Sequence, residues 1–137
     1  MKEVPHHLYP FERNFFDIDG LRMHYLDEGR GETVVAVHGN PTWSFYYRDL
    51  VRSLRDVYRV IVPDHVGCGL SDKPDDERYD YTLARRVEDF GLLMDDLGLE
   101  DINLVVHDWG GMISLAWAVR DPDKIKRLVI LNTASFH

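Results

Sequence analysis

The sequence predicts an α/β fold, in which an antiparallel hairpin precedes a mostly parallel β-sheet covered by helices on both sides. Two observations predict it. Short apolar segments rich in Val and Ile recur along the chain, and segments with helical spacing of apolar residues lie between them. Such alternation requires crossover connections, and crossovers place consecutive strands parallel to one another.

The chain begins with a predicted β-hairpin. Residues 15–17 and 21–25 are largely apolar and aromatic. Asp19-Gly20 lies between them, and this pair readily adopts the positive φ angles of a tight turn. We therefore expect the first two strands to be antiparallel.

Four later segments are predicted to be strands, at residues 33–37, 58–62, 102–106 and 127–131. They are short, consist mostly of Val, Ile and Leu, and largely lack polar alternation. This pattern is typical of strands that are covered on both faces. The sequence thus predicts a sheet buried from both sides.

The clearest helix is predicted to begin after the capping residue Thr82 and to end at Gly98. Its apolar residues recur at spacings of four and three and form one stripe: Leu83, Val87, Phe90, Met94 and Leu97. We expect this stripe to face the sheet.

Two further helices are predicted. One begins near Thr42, after Pro41, and the other extends from about Gly110 through Val119 to Asp121, before Pro122. The first of these is expected to bury Phe45, Leu50, Val51 and Leu54.

Composition indicates one globular domain and limits its partners. The chain has 137 residues, of which 45% are hydrophobic, and a formal net charge of −8. An acidic surface repels phosphate backbones and anionic lipids, so nucleic acid is not an expected partner. No segment approaches the roughly 18 apolar residues of a membrane span, the N-terminus lacks a signal-peptide core, and Cys68 is the only cysteine. We expect a cytoplasmic protein.

Three motifs follow predicted strands at their carboxyl ends. They are His-Gly-Asn-Pro at residues 38–41, Pro-Asp-His-Val-Gly-Cys-Gly at 63–69 and His-Asp-Trp-Gly-Gly at 107–111. Ligands of parallel α/β sheets collect at this edge. The third motif has the layout of a nucleophile elbow, with a buried strand, a reactive residue on a tight turn, and small residues at the start of a helix.

Asp108 occupies the reactive position of this elbow. A carboxylate is ionised at neutral pH, so it can attack carbon without a base and form an ester. A base is needed only when water cleaves that ester. That cleavage places negative charge on an oxygen of Asp108, and its predicted donors are the backbone N–H of Trp109 and one from the loop that carries Asn40. The side chains of Trp109 and Asn40 can also donate to a departing anion such as halide.

Together with Thr-Trp-Ser at 42–44 and Leu-Ser-Asp-Lys-Pro at 70–74, these motifs resemble those of the haloalkane dehalogenases, which have the α/β-hydrolase fold. The resemblance covers nearly the whole chain and depends most on Asn40, Asp108 and Trp109. It implies that Asp108 is the nucleophile, that Asn40 and Trp109 bind the oxyanion or halide, and that the substrate is a small apolar molecule. No cofactor or metal is implied.

Three alternatives stay open within and beyond this resemblance. Residues 63–74 look most like the branch that holds the third dehalogenase subfamily and the β-lactone decarboxylases of olefin biosynthesis, so haloalkane and β-lactone are both candidate substrates. Epoxide hydrolases more often carry an aromatic residue at the position of Asn40, which makes them the weaker match. A non-catalytic hydrolase domain that binds a ligand or partner is the competing function.

Each motif residue also has a simpler interpretation. Asp108 alone would be read as a helix N-cap, Trp109 as a packing residue and Asn40 as a turn residue beside proline, so the prediction depends on their combination. Gly-Cys-Gly at residues 67–69 does not fit the Gly-x-Gly-x-x-Gly motif of a dinucleotide-binding loop. It follows a later strand than that motif does, and Asp72 stands where the motif has its third glycine. Cys68 is interpreted as inert, and the histidines lack metal-ligand spacing.

The general base and its acid have no evident candidates. The only histidine after Asp108 is His137, which directly follows the last predicted strand and comes too early to match the family's base. The acid position of one subfamily corresponds to Asn132, which is neutral. We therefore interpret residues 1–137 as the N-terminal part of a hydrolase core domain, without its cap and last strands, and expect no turnover by this chain alone. We also expect residues 127–131 to form an exposed apolar edge that pairs with a complementing C-terminal chain.

Overall fold

The computed structural model describes residues 3–135, which form one six-stranded mixed sheet with helices on both faces. The spatial order of the strands is β1-β2-β4-β3-β5-β6. The strands are β1 (Asn14–Ile18), β2 (Leu21–Glu28), β3 (Glu32–Val37), β4 (Tyr58–Pro63), β5 (Ile102–His107) and β6 (Ile125–Leu131). The helices are α1 (Arg48–Leu54), α2 (Leu83–Asp96) and α3 (Trp109–Ala118), with 3-10 turns at Ser44–Tyr47 and Pro122–Lys124.

The predicted hairpin is confirmed. Strands β1 and β2 are antiparallel, with Ile18 opposite Leu21, and the turn residues Asp19 and Gly20 have φ angles of 51° and 80°. Strand β2 is also antiparallel to β4, so the hairpin extends the sheet at one side. The remaining neighbours, β4 with β3, β3 with β5 and β5 with β6, are parallel.

Strand β3 shows why the central sheet is buried from both sides, as the sequence predicts. Val35 and Val37 belong to the core that α2 and α3 cover, whereas Val34 and Ala36 belong to the core beneath α1 and the N-terminal segment. Successive side chains of a strand point to opposite faces. An uninterrupted apolar strand therefore supplies both cores.

Helix α2 matches its prediction closely. The hydroxyl of Thr82 accepts a hydrogen bond from the N–H of Arg85 at 3.2 Å, and Gly98 follows the helix with a φ of 60°. Helix α3 ends before Val119, which caps it and is 76% exposed. None of the helices within residues 3–135 has the length and apolar character required to cross a membrane.

The segment near Thr42 differs from the prediction. It forms a 3-10 turn followed by the seven-residue helix α1, and of the four residues expected to be buried only Val51 is fully buried. Phe45, for example, is half-buried, because it lies on the 3-10 turn beneath the guanidinium of Arg48, with 4.1 Å between Cζ and the ring centroid. The tighter winding of a 3-10 turn moves apolar residues off the stripe that α-helical spacing assumes.

Strand β6 is the main departure from the expected burial. Leu128, Val129, Ile130 and Leu131 are between 41% and 57% exposed, so both faces of the strand are open. The prediction that residues 127–131 are covered on both faces is wrong for this structure, because the described helices pack on β3, β4 and β5. The expectation of an exposed apolar edge is confirmed.

Candidate active site

The strand order brings the three sequence motifs together. Strand β3 lies between β4 and β5, and all three are parallel, so the loops after them meet at the carboxyl edge of the sheet. The loop at 38–41 therefore lies between the loop that begins at Asp64 and the turn that holds Asp108. This edge is where α/β sheets bind ligands.

Asp108 lies on a sharp turn between β5 and α3, with φ 52° and ψ −132°. This backbone conformation is rare for residues other than glycine and aims the side chain out of the sheet. The turn is packed closely: a Cβ on Gly110 would lie 2.2 Å from the carbonyl oxygen of Val37, and one on Gly111 would lie 2.0 Å from Oγ1 of Thr133. The layout is that of the predicted nucleophile elbow.

The carboxylate of Asp108 accepts a backbone hydrogen bond from the neighbouring loop. The N–H of Asn40 donates to its Oδ2 at 3.0 Å. This hydrogen bond and, after it, the nearby N–H of Trp109 lower the pKa of the Asp108 carboxyl below its ordinary value. The group is thus ionised at neutral pH and lies beside the N–H groups of Asn40 and Trp109.

Gly39 permits this close approach of the two loops. A Cβ at this position would lie 2.3 Å from Cβ of Asp108 and 2.5 Å from its Oδ2. Real Cβ atoms do not come so near to other heavy atoms, so only glycine lets the N–H of Asn40 reach the carboxylate.

Asn40 and Trp109 line a common cavity of about 310 Å³, and Asp108 lines an adjoining cavity of about 250 Å³ that shares Trp109. The other residues that line the first cavity are Tyr81, Leu83, Arg86 and Ile113. Sequence reasoning missed Arg86 and Tyr81. The available signal was the direction of α2: this helix follows β4 in the chain, so its first turn starts at the carboxyl edge of the sheet, beside the motifs.

Two buried histidines hold the loop that contains Gly39 and Asn40. Nδ1 of His38 donates to the carbonyl of Gly39 at 2.7 Å, and its Nε2 accepts from the N–H of His65 at 3.1 Å. Nε2 of His65 donates to the carbonyl of His38 at 3.0 Å. Burial lowers the pKa of both imidazoles, so both rings are neutral at neutral pH. Each ring nitrogen in these bonds therefore has a fixed role as donor or acceptor.

The loop at 63–69 encloses the carboxylate of Asp64. That carboxylate accepts from the N–H of Ser44 at 2.6 Å and from the N–H of Leu70 at 3.0 Å. Gly69 has a φ of 55°, and a Cβ on it would lie 2.3 Å from Oδ2 of Asp64. Gly69 thus allows the loop to close around the carboxylate of Asp64.

The residues after β6 support the elbow through their backbone. The carbonyl of Asn132 accepts from the N–H of Asp108 at 3.2 Å, and the hydroxyl of Thr133 donates to the carbonyl of Asp108. Asn132 has a φ of 34°, which is typical of a turn residue. His137 lies outside the described residues.

The fold and the elbow together define a class of protein. The profile of the alpha/beta hydrolase fold family matches residues 32–137, and the chain belongs to this family. Within it, the chain is 61% identical over 131 residues to the cis-3-alkyl-4-alkyloxetan-2-one decarboxylase of Shewanella oneidensis. The matched region covers 95% of this chain and 41% of that protein. The chain is 44% identical to haloalkane dehalogenase 2 of Mycobacterium tuberculosis, over 92% of this chain and 43% of that protein.

A solved structure gives the same result. Haloalkane dehalogenase DpaA from Paraglaciecola agarilytica superposes with a TM-score of 0.86 at 34% identity, covering 95% of this chain and 48% of that one. The resemblance predicted from the motifs is therefore confirmed. The chain spans less than half the length of the relatives it matches.

Proposed function

We propose that Asp108 is the nucleophile of an enzyme that opens a small apolar substrate by forming an ester on this carboxylate. One observation carries the proposal: Asp108 stands on a strained elbow, and its carboxylate accepts a hydrogen bond from the N–H of Asn40. One oxygen is thus engaged by a donor, and the carboxylate is ionised and pre-positioned for attack.

The substrate that we propose first is a β-lactone. The decarboxylase relative is 61% identical to this chain, compared with 44% for the dehalogenase, over similar shares of the chain. A carboxylate oxygen of Asp108 bonds to the ring carbon that bears the ring oxygen, and that carbon–oxygen bond breaks to release a carboxylate on the substrate. The carbon–carbon bond to the new carboxylate then breaks and releases carbon dioxide. The electron pair of that bond forms the carbon–carbon double bond and expels Asp108 as a free carboxylate.

Haloalkane hydrolysis is the second candidate, and the side chains of Asn40 and Trp109 favour it. The amide of Asn40 and the indole N–H of Trp109 belong to residues that line one cavity, and two such donors suit a departing halide. Epoxide opening is the third candidate. It ranks last because epoxide hydrolases more often have an aromatic residue at the position of Asn40.

Labelling followed by mass spectrometry tests the nucleophile and separates the first two substrates. Opening of a β-lactone adds the whole mass of the lactone to Asp108, whereas a haloalkane adds its alkyl group and releases halide. Alkene in the headspace reports decarboxylation. We expect Asp108→Asn to abolish every adduct. An adduct on any other residue contradicts the mechanism, and no adduct or alkene with any substrate supports the non-catalytic alternative.

We further propose that hydrolytic turnover requires polypeptide beyond residues 1–137, which adds to the open edge of β6. Ester hydrolysis needs a base that activates water, and the only histidine after Asp108 is His137. The exposed apolar side chains of β6 support the addition of a complementing segment at this edge. The test is to supply the C-terminal part of a relative in trans, which we expect to restore hydrolysis of the labelled ester.

A further inference from the structure

Arg86 is a cation at the cavity that adjoins Asp108 through Asn40 and Trp109, and the proposed attack by Asp108 does not use it. It lies at the end of the first turn of α2 and lines the cavity that Asn40 and Trp109 also line. Its side chain is half-buried, so its charge is only partly screened by water.

The guanidinium is held in place without a carboxylate partner. Nη2 donates to the carbonyl of Val66 at 3.2 Å, and Cζ lies 5.9 Å from the centroid of the Tyr81 ring. Among residues 3–135, no Asp or Glu lies within ion-pair distance of Arg86. Its neighbour Arg85 contrasts with it, because Arg85 pairs with Asp89 at 2.9 Å.

The positive charge of Arg86 affects the buried histidines behind the site. After burial, the Arg86 charge is one of the effects that lower the pKa of His38 and of His65. The cavity therefore combines two residues with neutral donor side chains, Asn40 and Trp109, with a guanidinium whose remaining N–H groups have no acceptor among the described residues.

We infer that Arg86 binds the carboxylate that a β-lactone releases when Asp108 opens its ring. This inference rests on the proposed function of Asp108. A guanidinium suits a carboxylate because two parallel N–H donors match its two oxygens. A halide departs as a separate ion, whereas the carboxylate of an opened lactone remains attached to the substrate and stays in the cavity. Arg86 thus favours substrates that carry their leaving group.

Arg86 acts in the ring-opening step, because that step creates the negative charge of the carboxylate. The pair from the broken ring carbon–oxygen bond comes to rest on the carboxylate, and the guanidinium stabilises that charge as it develops. Loss of carbon dioxide removes the same charge, so Arg86 does not accelerate the second step. Ring opening is therefore followed as the sum of the ester on Asp108 and the alkene released.

The test compares single-turnover ester formation for a dialkyl β-lactone and a haloalkane of similar chain length. We expect Arg86→Gln to slow labelling by the lactone about 10- to 100-fold, the range for one charged hydrogen bond, and to change labelling by the haloalkane less than about threefold. Arg86→Lys should recover part of the lactone rate. Arg85→Gln is the matched control and should leave the ratio of the two rates unchanged. Equal losses with both substrates, or no loss with either, overturn the inference.

A second measurement separates this inference from the function on which it rests. If the native chain labels with neither substrate, the role of Asp108 fails, and hexanoate binding measured by calorimetry then decides the role of Arg86. Binding by the native chain and by Arg85→Gln, together with loss in Arg86→Gln, retains the carboxylate site. Equal binding by all three chains, or binding by none, removes it. Denaturant unfolding of each variant checks that the fold is intact.

Discussion

Nδ1 of His24 donates to Oδ2 of Asp64 at 2.9 Å, and both side chains are completely buried. Burial alone would raise the pKa of the Asp64 carboxyl, but the hydrogen bonds that it accepts, the one from His24 first, outweigh that effect and lower it. The pair joins β2 to the loop after β4, so an antiparallel strand of the hairpin helps to fix a loop beside the active site.

Asp64→Asn should reduce the free energy of unfolding by about 3 kcal/mol, because it removes a buried carboxylate that accepts hydrogen bonds from His24, Ser44 and Leu70. Both oxygens of Asp64 accept hydrogen bonds from N–H groups, so the NH₂ group of asparagine would face a donor where the carboxylate has an acceptor. Urea unfolding measures the change. Asp72→Asn is the matched control: Asp72 pairs with the exposed Arg22 at 3.4 Å, and its loss should cost under about 1 kcal/mol. Similar losses in both variants would contradict the assignment.

Acid should destabilise the chain through His38 and His65. Burial holds the pKa of each folded imidazole below the ordinary value of 6.5, so below that pH the unfolded chain binds protons that the folded chain excludes. The free energy of unfolding should fall as the pH decreases from 6.5, by up to about 1.4 kcal/mol per pH unit for each histidine. Loss of the Asp64 contribution follows below about pH 4.

The variant His65→Gln isolates one of these two titrations. Glutamine keeps an N–H donor for the carbonyl of His38 but binds no proton. Urea unfolding between pH 6 and pH 5 should show a slope that is smaller by up to about 1.4 kcal/mol per pH unit. An unchanged slope would show that His65 is not the titrating group.

Gly39→Ala should lower the rate of ester formation on Asp108 about 100-fold, the usual effect of displacing a reacting group by about 1 Å. The new Cβ would overlap the Asp108 side chain and force the two loops apart. Gly98→Ala provides the control, because its φ of 60° makes alanine strained while its Cβ meets nothing within 4 Å. It should destabilise the chain without slowing ester formation.

The strain at Asp108 can be measured by comparing Asp108→Gly with Asp108→Ala. Both variants lose the carboxylate, and only alanine keeps a Cβ at φ 52° and ψ −132°. The glycine variant should have the larger free energy of unfolding, by about 1 kcal/mol or more. Equal stabilities would mean that the elbow carries no backbone strain.

The open edge of β6 should make the chain self-associate. Size-exclusion chromatography at increasing concentration should show larger species, and Ile130→Lys should shift them toward the monomer, because a charged side chain blocks edge pairing. Val119→Lys is the control, since Val119 is 76% exposed but lies at the end of α3. A native chain that remains monomeric would contradict this prediction.

The residues around Asp108 could be predicted because chain order determines their place. A short apolar strand followed by Asp-Trp-Gly-Gly leaves few alternatives to an elbow, and parallel strands bring the loop of Asn40 to the same edge. Thr82 and Gly98 likewise gave the bounds of α2, because capping is a local interaction.

Features that depend on contacts across the chain could not be predicted in this way. Arg86 belongs to no sequence motif, and its position at the cavity is known only from the packing of α2. The roles of His38 and His65 depend on which ring nitrogen carries the proton, and that is set by backbone groups of neighbouring loops. The exposure of β6 depends on which elements cover it, which an apolar pattern does not reveal.

The close packing around Gly39, Gly110 and Gly111 also limits how the chemistry of this site can diverge. The backbone beneath Asp108 has no room for an added methyl group, whereas Asn40, Arg86 and Trp109 line an open cavity. The side chains at that cavity can therefore be exchanged while the turn is inherited intact. Relatives should differ from this chain at positions 40, 86 or 109 before they differ at 39, 110 or 111.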